Sequence, residues 1–373
     1  MKIQHATDAA HWDSFLAGQR FRPFMQSFGM GEVYRNIGQE PIRLIMRDHQ
    51  EILGICLAIV IPARRGRHLA VPYGPVLKRK EALEPLLDRL KGIAREHRCS
   101  FIRLSPFWPT IEPPIPGTKP SPLHLLAEHV WYLPLKNPDP WALSPHPPSS
   151  VHGGGGNEGG GGVTENLLFS SMRATARNLT RRAEKDGVTI EASKNPETDL
   201  DHFIRLHAET RKRHRFTPYT NAFFRSEVKH FSKLGQCTLY LAKYQGEVIA
   251  SSIHIHAFGE TSYHHGASAE KYRKIPASYL LQWRAIQDAL KRGDSIYNFW
   301  GIAPPALSPD PSPDGRGGSI SHVRNHPFAG VTLFKTGFGG KLLNLQHCSD
   351  LPVSARYYGT RLFEYVRKWR RGF

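Results

Sequence analysis

Apolar residues recur along this chain at two spacings, and each spacing predicts a different secondary structure. Residues 81–97 show the spacing of a helix, because Leu83, Leu86, Leu87, Leu90 and Ile93 would share one face. Short apolar or alternating runs predict strands over 43–46, 51–62, 69–75, 101–104, 238–244, 247–257, 262–265 and 295–301. Further helices are predicted over 9–17, 167–186, 202–214, 223–231, part of 272–292 and 355–371. Strands interleaved with helices in this way predict an α/β (α+β) chain.

Two breaks in composition interrupt this pattern. Residues 134–165 are rich in proline and then in glycine, and residues 304–325 contain the run SPDPSPDGRGG. Such segments bury too little apolar surface to offset the entropy of ordering them, so both are predicted to be mobile, the second as an insertion or a lid. We therefore predict a first domain over 1–165 with a linker at 136–165, a second domain over 166–346, and a C-terminal helix in 347–373.

Positive charge is the strongest compositional feature. Fifty Lys and Arg residues against 32 Asp and Glu give a net charge of +18, which either attracts polyanions or serves general solubility. Arg173, Arg177, Arg181 and Lys185 recur every four residues on the helix predicted over 167–186, with Arg182 beside them. This basic row is either a solvated face or a site for the phosphates of a nucleic acid.

The sequence also argues against a disulfide-rich protein, a metal site and a membrane-spanning protein. The four scattered cysteines do not form a disulfide framework or a paired metal-ligand motif. His254, His256, His264 and His265 have no Asp, Glu or Cys close enough in sequence to complete a ligand set, so no metal is predicted. The same cysteine pattern predicts a cytoplasmic chain. The polar N-terminus predicts no signal peptide, and no apolar run is long enough to predict a membrane span.

Motifs in four places resemble those of the Fem family (FemA, FemB, FemX), which transfers amino acids from aminoacyl-tRNA to peptidoglycan precursors. They are residues 24–33 (FMQSFGMGEV), 69–75 (LAVPYGP), 172–187 (MRATARNLTRRAEKDG) and 299–340, the last containing FWGIAP, HP, FK and GFGG. GFGGK is not read as a nucleotide-binding P-loop, because Ser or Thr does not follow the lysine. The resemblance implies two tandem GNAT-like (acyl-CoA N-acyltransferase-like) subdomains with mixed sheets flanked by helices.

The resemblance also implies a set of site residues. Lys335 would stabilise the oxyanion that forms when an amine attacks the aminoacyl ester, with Phe334 beside it and Tyr263 in the same site. Arg215, Tyr219, Tyr73 and Arg35 would bind the acceptor substrate, and Arg173, Arg177, Arg181 and Lys185 would bind tRNA. Ser105 stands where the family usually has an aspartate, and a serine cannot accept a proton from an ammonium at neutral pH. This departure argues against an Asp-based mechanism.

The implied partners are aminoacyl-tRNA as co-substrate, without another cofactor, and a UDP-linked or lipid-linked muropeptide precursor, bound by a monomer. The resemblance implies that the C-terminal helix packs on the first domain. It also combines basic residues with Tyr358, Leu362, Tyr365 and Trp369, so it can contact an anionic membrane at the inner face instead or at the same time. One alternative function is an acyl-CoA N-acyltransferase, because Gln26-x-x-Gly29-x-Gly31 matches the loop that binds the pyrophosphate of acyl-CoA. Only 25 residues precede this loop, however, which is too few for the strands that normally come before it. A non-catalytic RNA-binding module is the other.

Overall fold

The computed structural model describes residues 1–63, 66–143, 162–214, 219–305 and 326–371, which fall into two compact units. Unit 1 comprises residues 1–128, 219–235 and 344–373, and unit 2 comprises residues 129–218 and 236–343. The chain thus enters unit 2 at residue 129, well before the boundary predicted at 165. The reason is that the strand His129–Pro134 pairs with Ile296–Gly301 of unit 2.

Unit 1 is built on an eight-stranded sheet. Its strands are β1 (Lys2–His5), β2 (Pro41–Asp48), β3 (Glu51–Ile61), β4 (His68–Tyr73), β5 (Val76–Leu77), β6 (Phe101–Pro106), β7 (Lys119–Pro120) and β15 (Ser349–Pro352). The order across the sheet is β1-β2-β3-β4-β6-β15-β7, with β5 paired to β3. The β4–β6 pair is parallel and the other registered pairs are antiparallel.

The helices of unit 1 are α1 (Ala9–Ala17), α2 (Phe28–Asn36), α3 (Leu83–Glu96), α7 (Asn221–Lys233) and α10 (Arg356–Arg371). The face predicted for α3 is buried, because Leu86, Leu87, Leu90 and Ile93 join the core residues of the sheet. Burial of such side chains contributes roughly 1.5–3 kcal/mol each to the stability of the unit.

The helix predicted over 223–231 is observed as α7, but it belongs to unit 1 and not to the predicted second domain over 166–346, so this domain assignment is wrong. Its aromatic face packs on unit 1: the rings of Phe223 and Tyr34 lie 6.3 Å apart, and those of Phe231 and Phe24 lie 6.0 Å apart. Ser226 Oγ also donates a hydrogen bond of 3.0 Å to the carbonyl of Val33 at the end of α2. These contacts join residues almost 200 positions apart, which local periodicity cannot reveal.

Unit 2 contains a seven-stranded sheet in the order β14-β8-β13-β12-β11-β10-β9. The strands are β8 (His129–Pro134), β9 (Thr189–Ala192), β10 (Cys237–Tyr244), β11 (Glu247–Ala257), β12 (Glu260–Ser268), β13 (Ile296–Gly301) and β14 (Lys341–Asn344). The helices are α4 (Glu165–Ser171), α5 (Ala174–Lys185), α6 (Pro196–His214), α8 (Ala277–Arg292) and α9 (Ala329–Thr336). Strands β12 and β13 run parallel, so the sheet is mixed, as in unit 1.

The helix predicted over 167–186 is interrupted at Met172 and Arg173, which both have extended backbone angles. Arg177 accounts for the interruption, because its guanidinium donates to the carbonyls of Ser170 and Met172. The last carbonyls of a helix have no partner within the helix, so this arginine satisfies the end of α4 while α5 begins. The prediction of one continuous helix is therefore wrong.

The predicted linker at 136–165 begins too early. Trp141 is fully buried in unit 2 and donates a hydrogen bond of 3.1 Å to Glu260. Asp139 accepts from the Trp141 amide, the Tyr132 hydroxyl and the Lys341 ammonium. The glycine-rich part, 144–161, and most of the second insertion, 306–325, lie outside the described residues.

A buried ion network joins α10 to the sheet of unit 1. Arg103 on β6 contacts both carboxylate oxygens of Asp350 at 2.8 and 3.0 Å, and both of Glu364 at 3.1 and 2.6 Å. Double bidentate pairing of this kind fixes the orientation of a helix as well as its position. Among the described helices, none combines the length and the apolar character needed to cross a lipid bilayer.

Candidate active site

Lys335 is buried in unit 2, where α9 meets the end of β13. The helix turns two polar side chains inward, Thr332 and Lys335, which are three residues apart and so share a face. Thr332 Oγ1 accepts from the amide of Ala303 at 2.8 Å, and Lys335 Nζ donates to the carbonyl of Gly301 at 2.7 Å. The helix therefore supplies hydrogen-bond partners to two backbone groups at the end of β13 and just after it.

The backbone beside this contact is strained. Trp300 has a φ of 68°, in the left-handed region that bulky residues rarely adopt, and the register with β8 shifts between Asn298 and Trp300. The side chain of Asn298 accepts from the Trp300 amide at 2.8 Å and holds this bulge in place. Bulges and strained residues concentrate at functional sites, where they redirect backbone groups, here the Gly301 carbonyl.

Burial lowers the pKa of Lys335 from its usual value to about 7. The ammonium therefore exchanges its proton near neutral pH, which suits a group that stabilises developing charge or transfers a proton. Its Nζ lies 5.6 Å from the ring centre of Tyr263. The sequence paired Lys335 with the ring of Phe334 instead, but adjacent residues on a helix point in different directions.

Tyr263 owes its place to a glycine that the sequence analysis did not single out. A Cβ atom on Gly266 would lie 1.8 Å from the Tyr263 hydroxyl, so only glycine leaves room for the ring in this position. Burial raises the pKa of Tyr263 to about 12, so the hydroxyl remains protonated at neutral pH. Tyr263 can thus donate a hydrogen bond but does not act as an anion.

A line of buried polar groups continues from Tyr263 into unit 2. The His254 ring stacks on Tyr263 at 5.3 Å, and its Nε2 lies 2.8 Å from the hydroxyl of Tyr297, which Gln282 also contacts. Burial lowers the pKa of His254 well below its usual value, so the ring is neutral. His256 is bonded to Thr238 and Thr261 in the same way. Hydrogen bonds and ring contacts therefore fix the positions of both His254 and His256.

Phe334 lies at the edge of an aromatic cluster. Its ring meets Tyr279 at 4.9 Å and Phe338 at 5.3 Å, both edge-on. Behind it, the glycines of GFGG allow close contact within the protein: a Cβ on Gly340 would lie 2.4 Å from the Tyr132 carbonyl. Trp131 donates to the Gly339 carbonyl at 2.7 Å. The motif fixes α9 against β8.

The basic row approaches the same helix at one end. Arg173 donates to the hydroxyl of Thr336 at 2.9 Å, and its amide donates to the Gly337 carbonyl. Arg177 is engaged at the end of α4, and the Arg181 guanidinium lies 5.1 Å from the ring centre of Phe169. Lys185 is exposed at the other end of α5. The row is thus partly structural, and Arg173 contacts Thr336, the residue that follows Lys335.

The remaining predicted site residues belong to unit 1 or lie outside the described part of the chain. Tyr73 is buried and donates to the Ala127 carbonyl at 2.8 Å, and Tyr219 stacks on Phe223 at 4.2 Å. Arg35 is paired with Glu32 at 2.6 Å and Glu40 at 3.2 Å. Arg215 lies outside the described residues. Ser105, which the sequence resemblance alone set against an aspartate, is buried on β6.

The pattern Gln26-x-x-Gly29-x-Gly31 is a packing motif in this structure. The Gln26 amide group bonds to the amide and carbonyl of Leu57 and to the carbonyl of Pro72, so it bridges β3 and β4. A Cβ on Gly29 would lie 2.8 Å from His230, and one on Gly31 would lie 2.2 Å from the Arg43 guanidinium. These glycines make room for side chains of unit 1.

Unit 1 also contains a cluster that could hold a metal ion, which the sequence analysis missed. One ligand atom each from His124, Glu128 and His347 lie within 4.8 Å of one another. Both histidines are bonded to the Glu128 carboxylate at 2.9 Å, and the Cys348 amide donates to it at 2.7 Å. Burial would raise the pKa of Glu128, but these hydrogen bonds lower it to about 2. The three groups are thus already satisfied by one another.

Comparison with known proteins gives one family-model match in each part of the chain. A model of the FemAB family matches residues 7–113, and a model of the acetyltransferase (GNAT) domain matches residues 170–305. The chain is 32% identical over 99 residues to the aminoacyltransferase FemA of Staphylococcus epidermidis, an alignment that covers 26% of this chain and 20% of that protein. The chain thus spans about one fifth of the length of the curated relative it matches.

Two solved structures extend the comparison to nearly the whole chain. The crystal structure of FemX has a TM-score of 0.73 and 17% identity, and the alignment covers 98% of this chain and 100% of that one. The C-terminal domain of a putative lysylphosphatidylglycerol synthetase from Agrobacterium fabrum has a TM-score of 0.54 and 13% identity, covering 96% of each chain. The predicted fold, two tandem GNAT-like units with mixed sheets flanked by helices, is confirmed.

Proposed function

We propose, from the premise that this chain belongs to the FemABX family, that it transfers an amino acid from aminoacyl-tRNA to the side-chain amine of a peptidoglycan precursor. The observation that carries the proposal is the buried lysine of the FK pair, held against the strained end of β13 with its pKa lowered to about 7. Perturbed ionisable groups of this kind concentrate where proteins perform chemistry.

The proposed reaction needs no covalent intermediate on the protein, because the ester of aminoacyl-tRNA is already activated. The acceptor amine attacks the ester carbonyl, a C–N bond forms, and the bond to the 3′ oxygen of the terminal ribose breaks. The amine loses a proton and the 3′ oxygen gains one, so the exchange is balanced. The protein must hold the two substrates in line and stabilise the oxyanion that develops between them.

Lys335 is the residue to which we assign that stabilisation. In its protonated form it would face the developing oxyanion, and its pKa near the working pH would let it return a proton to the leaving oxygen. Tyr263 would position the substrate as a neutral donor beside it. Phe334 would act through the packing of α9 rather than by touching the substrate.

Two further groups of residues would bind the two substrates, tRNA and the acceptor. Arg173, Arg177, Arg181 and Lys185 would attract the tRNA backbone, with Lys185 the most available, because each of the three arginines makes a contact within unit 2. Tyr219, Tyr73, Arg35 and Arg215 would contact the acceptor, a UDP-linked or lipid-linked muropeptide. Because charged tRNA is the donor, the proposed location is the cytoplasm, and neither a cofactor nor a second subunit is invoked.

A transfer assay tests the proposal directly. The full-length protein is incubated with a pool of charged tRNAs and with a UDP-linked or lipid-linked precursor, and mass spectrometry follows the precursor. We expect a mass gain of one amino-acid residue that requires the tRNA to be charged. A precursor of unchanged mass with every charged tRNA and both acceptors would overturn the proposal.

A second experiment, with acetyl-CoA, distinguishes the proposed function from an acyl-CoA N-acyltransferase. This alternative is considered because the GNAT model matches residues 170–305. Tight binding of acetyl-CoA in a calorimeter, together with acetylation of an amine, would favour an N-acyltransferase. We expect neither, because the glycines and glutamine of the pyrophosphate-loop pattern are committed to packing within unit 1. Salt-sensitive tRNA binding without transfer would instead indicate an RNA-binding module.

A further inference from the structure

The C-terminal helix α10 presents an apolar stripe to solvent. Tyr358, Leu362, Tyr365 and Trp369 recur at intervals of three and four residues and therefore lie along one face, which Val366, four residues after Leu362, extends. Leu362 is 68% exposed and Trp369 is 82% exposed, and the other three are also exposed. A contiguous exposed apolar face on a folded protein marks an interaction site more often than scattered residues do.

The opposite face of α10 holds the helix firmly on unit 1, so the stripe cannot turn inward. Tyr357 is fully buried and packs on Phe101 at 5.3 Å. Glu364 forms the bidentate pair with Arg103, and Arg361 donates to the Pro120 carbonyl at 2.7 Å. These contacts orient Leu362 and Trp369 away from the core.

Positive charge borders the stripe. Arg361 precedes Leu362 and donates to the Tyr365 hydroxyl at 2.9 Å, while the Lys119 ammonium lies 5.0 Å from the ring centre of Tyr358. Arg356, Arg367 and Lys368 belong to the same helix. The one acidic residue of α10, Glu364, is already paired with Arg103. The face is thus apolar in the middle and cationic at its edges.

We propose that α10 docks on an anionic lipid surface, with the apolar stripe in the interfacial layer and the basic residues against the headgroups. A helix with aromatic and aliphatic residues on one face and Arg or Lys beside them has the character of an interfacial helix. Tyr and Trp suit the boundary, where one end of the side chain is apolar and the other is wet. Binding by one short helix is reversible.

Two other occupants fit the face less well. A second copy of this chain would bring two cationic helices together on a chain of net charge +18, which like charges oppose. RNA would match the positive charge, but Leu362 and Val366 offer nothing to a sugar-phosphate backbone. The inference is independent of the proposed aminoacyl transfer, because it concerns the surface of unit 1 and not the chemistry at Lys335.

Vesicle co-sedimentation of the full-length protein tests the inference. We expect binding to vesicles that contain phosphatidylglycerol, little binding to pure phosphatidylcholine, and weakening by salt. The double variant Leu362→Gln/Trp369→Gln keeps every charge and should bind anionic vesicles roughly tenfold or more weakly. The matched control is Leu234→Gln, an exposed leucine at the end of α7 in the same unit, which should bind as the wild type does.

Three results would overturn the inference. One is equal binding by the wild type and the double variant to anionic vesicles. Another is a wild-type dimer in analytical ultracentrifugation that the double variant loses, which would assign the face to a second copy. The last is loss of tRNA binding, without loss of vesicle binding, in the double variant. Because both mutated residues are exposed, circular dichroism of the variant should match the wild type, and this confirms that folding is not the cause.

Discussion

Arg103 in unit 1 and Lys335 in unit 2 are both buried cations, yet their surroundings differ. Burial alone would lower the pKa of Arg103, but hydrogen bonds with Asp350 and Glu364 raise it. Lys335 donates to a backbone carbonyl, and burial lowers its pKa to about 7. Carboxylates compensate a buried charge far better than one carbonyl dipole does.

The difference in surroundings suits Arg103 to a structural role and Lys335 to a catalytic one. A cation that is neutralised by two carboxylates stays charged at any physiological pH and serves to fix α10 on the sheet. A buried cation held by a carbonyl dipole gains or loses its proton at little cost near neutral pH, which is the property that catalysis needs. Burial of a charge is therefore informative only together with the groups that face it.

Breaking the paired charge of unit 1 should give the largest effect on stability. Asp350→Asn leaves the Arg103 guanidinium with one carboxylate in a buried site, and we expect a loss of roughly 3 kcal/mol or more in the free energy of unfolding. The measurement is chemical denaturation. Asp88→Asn, which removes an exposed partner of Lys91, is the control and should change stability by less than about 1 kcal/mol. Equal effects of the two substitutions would contradict the role of the Arg103 network.

In unit 2, we expect stability to depend on Gly340, which lets the chain that follows α9, the helix of Lys335, pack closely on β8. Gly340 has a φ of 103°, and a Cβ there would lie 2.4 Å from the Tyr132 carbonyl, so Gly340→Ala should destabilise the protein by roughly 2 kcal/mol. Gly330→Ala, at a helical position with open space around it, should be neutral or slightly stabilising. Thermal unfolding compares the two. A Gly340→Ala protein as stable as Gly330→Ala would show that the contact with β8 is unimportant.

The His124–Glu128–His347 cluster should respond to pH in a defined way. Glu128, with its lowered pKa, contributes stability above about pH 4.5 that is lost as pH falls toward 2. Hydrogen bonding to Glu128 raises the pKa of His347, so its contribution is present below pH 6.5 and is lost as pH rises through the raised value. Glu128→Gln should cost roughly 1–2 kcal/mol between these limits, and less outside them. A cost that does not vary with pH would show that the charges do not matter.

Much of the fold could be predicted from sequence because its strands and helices carry local patterns. The hairpin of β2 and β3 follows from two apolar runs around a short polar turn, and α3 follows from its leucine spacing. The interruption between α4 and α5 could not be predicted, because it depends on Arg177 reaching back to the carbonyls before it. The placement of α7 depends on Tyr34 and Phe24, far away in the chain.

For the candidate site, too, the sequence indicates some residues but not the contacts between them. Lys335 was found through a family motif, and the spacing of Thr332 and Lys335, two polar residues three apart in a largely apolar helix, is a signal that the sequence alone contains. The carbonyl that Lys335 contacts and the bulge at Trp300 depend on strand register, which the letters do not reveal. Gly266 matters only because Tyr263 folds over it.

The most direct test of the account is the single-turnover rate of amino-acid transfer by Lys335→Ala, compared with wild type and with Lys341→Ala. Lys341 is the matched control, because it is a nearby lysine of unit 2 that is paired with Asp139. We expect Lys335→Ala to lose activity on the order of a hundredfold or more while its circular dichroism is unchanged. Lys341→Ala should stay within about threefold of wild type, as expected for a partly exposed ion pair. Transfer by Lys335→Ala at the rate of the Lys341→Ala control would contradict the assignment of the buried lysine.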